Sequence, residues 1–271
     1  MKIIRPSVEL IKPSGYTLDD AYKHIEKCAK VCYKSEAKIT DSSAYPFVQR
    51  LIKAGHTAML EFGTVYLTIP DKVVDKDYAL ERFINLSDTA CLDWDWDVDN
   101  YDVATNLRYL RHAEMWTEDL LQYLDTPNTN HPKRVTLKFI TSIGIVRELI
   151  RHRHFSFANE STRYCNYSKD KFNNEVSFVE PYWMNNAKKP FLTACEEAEG
   201  YYLDLLEAGC TPQEAREVLP LSTKSELCMC GFVKDWKHFF DLRLHEITGK
   251  VHPDMKILAQ MAYDKIQDYL I

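Results

Sequence analysis

Apolar positions recur at helical spacing after Thr17-Leu-Asp-Asp20, where Ala21, Ile25, Cys28 and Cys32 share one face, and this predicts a helix to about Lys34. A second helix is expected over 44–54, ending at Gly55. Alternation over Thr64-Val-Tyr-Leu-Thr-Ile69 and Val135-Thr-Leu-Lys-Phe139 predicts strands, and 175–179 reads as another. Helices are expected over 104–124, carrying Leu107, Leu110, Met115 and Leu120, over 145–150, and over 193–208 with Gly209 as the stop. Thr211-Pro-Gln-Glu214 combines an N-cap, a proline at the first helical position and a reciprocal glutamate, which marks a helix start. Two more helices are expected over 233–246 and 254–270. No repeat, low-complexity run or Gly/Ser linker divides the chain, so one α+β domain over 1–271, with helices outnumbering strands, is the simplest reading.

Residues 88–100 break this regularity. Asp93, Asp95, Asp97 and Asp99 alternate with Trp94, Trp96 and Val98. A calcium loop would need a central glycine and a glutamate at its twelfth position, where Ala104 stands. An acidic surface strand, lid or insertion is the better reading.

Composition narrows the function classes. Hydrophobic content of 45% and charged content of 27% suit a globular protein long enough to bury a sizeable core. A net charge of −6 argues against a general nucleic-acid binder, which needs a basic surface. There is no apolar run of transmembrane length, and the start at Met1-Lys2-Ile3-Ile4-Arg5-Pro6 lacks a signal-peptide core, so a cytoplasmic protein is expected. The eight cysteines follow no framework spacing and read as reduced thiols. Cys228-Met-Cys230 is not a zinc-type pair, and no metal is expected.

Against that acidic background, residues 147–164 hold four arginines and two glutamates. The stretch 151–164 reads Arg-His-Arg-His-Phe-Ser-Phe-Ala-Asn-Glu-Ser-Thr-Arg-Tyr. Arginine offers a planar fork of donors to phosphate and carboxylate oxygens, and histidine adds a group that titrates near neutrality. Phe155, Phe157 and Tyr164 supply apolar anchors that a solvated charged loop would not need. The residues alone therefore point to the floor of a small-anion site, with a salt-bridged surface loop as the plainer alternative.

Arg151-His152-Arg153, seven residues, then Ser161, followed by Thr162-Arg163-Tyr164, resembles the signature of the flavin-dependent thymidylate synthases. The resemblance extends over about residues 15–265. It implies that Arg151, His152 and Arg153 lie against the flavin and its phosphates, and that Asn159, Ser161 and Arg163 hold the nucleotide. Glu148 matches a position that also reaches the nucleotide; a structural pairing with Arg147 or Arg151 is the alternative. His56-Thr-Ala-Met-Leu-Glu61 matches an element facing the flavin through His56 and Glu61, although Phe62 stands where the family usually has a histidine. Arg216-Glu-Val-Leu-Pro220, on the helix starting at Thr211, resembles the element for the substrate phosphate. Trp236-Lys-His-Phe-Phe-Asp-Leu-Arg243 resembles one that brings His238 to the flavin and Arg243 to the pyrimidine, with Phe232 replacing a usual asparagine upstream. Cys32 and the pair Asn106 and Arg108 resemble family positions more weakly.

What the resemblance implies is an α+β fold with a mainly antiparallel sheet flanked by several long helices. It also implies reductive methylation of dUMP to dTMP by a methyltransferase in a homotetramer with shared sites. Methylenetetrahydrofolate would give the carbon, reduced FAD the hydride, and NADPH would regenerate the flavin. Arg243 then holds charge developing on the ring, and Ser161 acts as a ligand-binding hydroxyl, since no His–Asp pair is placed in sequence to activate it. No Gly-x-Gly-x-x-Gly is present, so a Rossmann mode is not expected. Two rivals stay open: a flavoprotein of other specificity, and a single-stranded RNA module using Arg153, Phe155, Phe157 and Tyr164.

Overall fold

The computed structural model describes residues 1–85, 92–97, 99–115 and 117–270. Its centre is an antiparallel sheet in the order β2 (Ser7–Ile11), β6 (Arg134–Ser142), β9 (Lys224–Phe232) and β7 (Ser156–Asn159). β6 and β9 pair over their whole length, from Arg134 opposite Phe232 to Ser142 opposite Lys224. Side chains alternate across a strand, so β9 serves two cores. Leu227 and Met229 join Val135, Leu137 and Phe139 on one face, and Cys228 and Cys230 point into the other.

Each face is covered by helices. α1 (Leu18–Ala29), with Ile25 and Cys28 inward, lies on the cysteine face together with α2 (Ala44–Lys53). The start of α1 is the expected capping box: Thr17 Oγ1 accepts from the Asp20 amide at 3.2 Å and Asp20 accepts from the Thr17 amide at 3.1 Å. Gly55 follows α2 at φ 72°, in the left-handed region that glycine adopts freely. The smaller sheet β3 (Thr64–Pro70), β5 (Asn100–Asn106) and β4 (Asp93–Asp97) packs into the same core, flanked by α3 (Asp71–Val74) and α4 (Tyr78–Asn85).

The helix expected over 104–124 does not form. β5 continues through Val103, Ala104 and Thr105, all fully buried opposite β3, and only then does Asn106 cap α5 (Leu107–His112) by accepting from the Tyr109 amide. Glu114 turns into the left-handed region at φ 58°, and Thr117 caps a separate α6 (Glu118–Leu121). Asp93–Asp97 of the acidic stretch form β4, paired to β5, with Asp93 held by Lys234 at 2.8 Å. Residues 88–91 and 98 of that stretch lie outside the described residues.

The other face carries α7 (Ile143–Leu149), and further along the chain come α8 (Lys188–Glu207) and α9 (Pro212–Ala215). α10 (Val233–Arg243) and α11 (Pro253–Ile266) complete the α7 side with Trp236, Phe239, Phe240, Leu258 and Ala262. α8 begins five residues before its expected start, and α10 stops at Arg243, before Glu246 at φ 60°. β1 (Lys2–Ile4) and β8 (Ser177–Val179) form a parallel pair beside α8. β1, β2 and β9 have no counterpart among the elements that the pattern predicts. No described helix is long and apolar enough to cross a membrane.

β7 is the short edge strand of the central sheet, and Phe155 anchors its entry. That ring sits 4.7 Å from Trp236 and 6.5 Å from Phe239, and it covers Gly231 so closely that a Cβ there would meet it at 2.5 Å. The ring has no free space to yield, so overpacking should be costly. Gly231→Ala should destabilise the protein by about 1–3 kcal/mol in urea unfolding; an unchanged midpoint would mean that Phe155 moves freely.

Candidate functional site

The arginine segment is delivered by two elements with local causes. Ser142 caps α7 by accepting from the Ile145 amide at 3.3 Å, and α7 runs to Leu149. The chain then turns, with the His152 amide donating to the Leu149 carbonyl and the Phe155 amide to the His152 carbonyl. β7 pairs with β9 immediately afterwards, from Ser156 opposite Cys230. Arg151 and Arg153 face solvent, and His152 between them turns inward.

Three groups of site residues result. In the first, Arg243 at the end of α10 donates from Nε to His152 Nε2 at 2.9 Å and pairs through Nη1 with Glu148 at 3.5 Å. Glu148 thus finds Arg243, across the core, instead of Arg147 or Arg151. His152 packs edge-on against Phe239 at 5.0 Å. Burial, with the charges of Arg243 and His238 added, pushes its pKa down to about 4. Neutral imidazole with a proton on Nδ1 is the form that can accept from Arg243. His238 itself is exposed on α10.

The second group lies beyond the other end of β7. The Ser161 amide donates to the Cys32 carbonyl at 2.9 Å, and the Ser161 carbonyl accepts from the Tyr164 and Cys165 amides. Arg163 lies over the Tyr164 ring and donates from Nε to Gln213 at 2.7 Å. Arg216 donates from Nη1 to Thr162 Oγ1 at 3.1 Å. It sits on a 3-10 turn, Arg216–Val218, and not on the helix itself, which stops at Ala215. Asn159, exposed at the end of β7, accepts from Ser225 Oγ at 2.8 Å.

The third group is the turn Thr57–Phe62. His56 precedes it, exposed, and Glu61 is paired with Arg108 at the start of α5. Among the described residues, no side-chain hydrogen bond or ion pair joins any two of these three groups directly.

What ties the third group to β7 is a residue that the sequence reading passed over. Arg134, nine-tenths buried, donates from Nη1 to the Glu61 carbonyl at 3.0 Å and from Nη2 to Ser156 Oγ at 3.4 Å. Its only signal in the sequence is a cation heading the apolar strand Val135–Phe139.

A buried ionic network underlies the second group. Lys224 holds Glu160 at 2.8 Å and Glu226 at 2.6 Å, and Lys34 reaches Glu226 at 2.9 Å. Burial raises the Glu160 carboxyl above its usual range, and Tyr167 donates its hydroxyl to it at 3.2 Å. Burial opposes ionisation of Glu226 too, yet Lys224 and Lys34 hold its pKa down to about 2. Burial, with Cys228 nearby, pushes the Cys32 thiol up to about 11, so it is protonated near neutrality. Among the described residues no group of three or more His, Cys, Asp or Glu is arranged to hold a metal ion.

The His152 assignment has a direct readout. Its ring protons should titrate with a midpoint near pH 4 in NMR. The ring is neutral above that midpoint, so the Arg243 hydrogen bond persists down to it and is lost below. In Arg243→Leu the midpoint should rise without reaching that of an exposed histidine, because burial remains. A wild-type midpoint near about 6.5 would rule out the neutral acceptor.

Comparison with known proteins bears on this arrangement. A family model described as thymidylate synthase complementing protein matches residues 99–270, which takes in the first two groups but not His56 and Glu61. The flavin-dependent thymidylate synthase of Synechocystis sp. is 30% identical over 145 residues, covering 48% of this chain and 66% of that protein. A probable flavin-dependent thymidylate synthase of Paramecium bursaria Chlorella virus 1 is 28% identical over 137 residues, covering 45% and 62%. The chain thus spans just under two thirds of the length of these two relatives. A UMP/dUMP methylase, PolB from Streptomyces cacaoi, solved with 5-Br dUMP, aligns over 99% of this chain and 93% of its own at 18% identity and a TM-score of 0.48. With the family model matched over more than half of its length, the chain belongs to the thymidylate synthase complementing protein family.

Proposed function

We propose that this protein is a flavin-dependent thymidylate synthase that converts dUMP to dTMP, with methylenetetrahydrofolate as carbon donor, FAD as flavin and NADPH as reductant. The observation that carries the reading is the placement of two cationic groups at opposite ends of one short strand. Arg216 reaches Thr162, and Arg163, next in the chain, reaches Gln213, while Arg243 with His152 and Glu148 lies beyond the other end of β7. One end suits a phosphate and the other a polarised ring carbonyl.

In this reading Arg163 and Arg216 bind the monophosphate through charge-assisted hydrogen bonds. Ser161 and Asn159 add neutral contacts to the nucleotide. Arg243, fixed between Glu148 and His152, faces negative charge that builds up on the pyrimidine ring and stabilises it without reorganising. A bound flavin supplies the hydride, a task that no side chain performs. Arg151 and Arg153 fit its phosphates: both are exposed and, among the described residues, make no ion pair. His56, Glu61, His152 and His238 complete the proposed flavin surface. The same reading includes a homotetramer that completes each site with residues of its neighbours.

Ser161 makes no hydrogen bond with a histidine among the described residues, which favours a binding role over a nucleophilic one. The decisive experiment is anaerobic dTMP formation with FAD, NADPH, dUMP and methylenetetrahydrofolate. Product that disappears when flavin is omitted is expected; a folded, flavin-bound protein that makes none would refute the substrate, and one without flavin the whole reading. Ser161→Ala should slow turnover roughly 10–100-fold, the worth of a hydrogen bond to a charged ligand, without abolishing it. Light scattering should give the mass of a tetramer, and an active stable monomer would exclude shared sites.

A further inference from the structure

We propose that Gln213 is a positioning residue for the substrate phosphate: it fixes the guanidinium of Arg163 through a neutral oxygen and leaves that group's full charge for the anion. The inference rests on the reading above, in which Arg163 binds the monophosphate. Gln213 stands three residues before Arg216, outside the Arg216–Pro220 element.

Local structure makes the brace rigid. Pro212 fixes the backbone angle just ahead of Gln213. Glu214, just behind it, accepts from both the Thr211 amide and the Thr211 hydroxyl at 2.8 Å. Ala215 then anchors the short helix, fully buried in one core with Cys195 and Tyr202 of α8. With both neighbours fixed, the Gln213 backbone has little freedom, and its side chain reaches a residue 50 positions earlier in the chain. A guanidinium nitrogen only donates, so the 2.7 Å contact from Arg163 Nε ends on the amide oxygen of Gln213.

That contact uses the donor nearest the arginine's own stem. The Tyr164 ring holds the same group, with its centroid 5.3 Å from Cζ. Nη1 and Nη2 have no hydrogen-bond or ion-pair partner among the described residues, and together they form a fork suited to phosphate oxygens. Arg216 differs, because its Nε pairs with the Glu217 carboxylate at 3.5 Å. A carboxylate at position 213 would accept from Arg163 equally well, but it would compete for the fork and repel the phosphate. An amide oxygen orients the arginine without cancelling its charge. Arg163 is exposed, so without the brace its long side chain samples many rotamers that binding has to order.

Calorimetric titration of dUMP into the full-length protein saturated with FAD tests this, with deoxyuridine as the ligand that lacks a phosphate. The wild type should bind dUMP roughly tenfold or more tighter than deoxyuridine. Gln213→Leu should weaken dUMP roughly threefold to tenfold, and Gln213→Glu roughly tenfold or more. Circular dichroism should be unchanged in both, since Gln213 is exposed. Added to Arg163→Gln, Gln213→Leu should cost less than about twofold, a coupling that a merely structural role would not give. In turnover the KM for dUMP should rise while kcat stays within about twofold, because the phosphate is held equally in ground and transition states. A wild type that binds deoxyuridine as tightly as dUMP would refute the phosphate reading, and the role of Gln213 with it. A wild type that prefers dUMP would overturn the role of Gln213 alone if affinity is unaltered in either folded Gln213 variant, or if the loss is undiminished in the double variant.

Discussion

The full-length antiparallel register between β6 and β9 constrains everything else in the molecule. Because β9 is buried along nearly its whole length, each of its residues is committed to one face, and a slip of one position would exchange the two cores. The free edge of β9 receives β7, and that second register sets Gly231 under Phe155 and brings Lys224 to Glu160. Neither cationic group could form if β9 were absent. Its pairing is as much a part of the proposed site as any arginine in it.

Electrostatics divides the polar residues into those that hold the frame and those left to meet a ligand. Glu160, Glu226, Lys34 and Lys224 neutralise one another behind the Ser161 turn, where an unpaired charge would be expensive. Arg243 is braced from two sides, by a carboxylate and by a neutral imidazole, so its orientation is fixed before anything binds. Arg151 and Arg153 carry no such constraint and point outward. Arg134 is the exception, a buried cation that satisfies backbone and hydroxyl oxygens yet makes no ion pair among the described residues.

The parts legible in the sequence are those with local causes. Thr17 with Asp20, and Thr211 with Pro212 and Glu214, announce helix starts through contacts three residues away, and both caps form, although the helices end earlier than read, at Ala29 and Ala215. The arginine segment stood out because its composition suits no core. β5 was misread because Val103 and Ala104 sit equally well in a helix, and the partner strand β3 decides the matter from more than thirty residues away. β9 mixes Lys224, Ser225 and Glu226 with apolar residues, so no period stands out until β6 and β7 lie on either side. Glu148 choosing Arg243 and Arg134 reaching Glu61 are likewise products of tertiary structure, and neither has a signature at short range.

One feature of β7 sets a dimension. It has four residues, so at ~3.3 Å per residue it holds the turn of Arg151–His152 and the turn of Ser161–Arg163 apart by a little more than about 10 Å. An extended strand hydrogen-bonded to β9 neither stretches nor folds, so this separation behaves as a ruler and not as a hinge. Loops elsewhere in the molecule can lengthen and shorten without disturbing it. A single residue inserted within Ser156–Asn159 would alter the spacing and reverse the faces at once. Length in this strand is therefore under tighter control than chemistry, and variation in what the protein accepts has to come from the two ends and not from the bar between them.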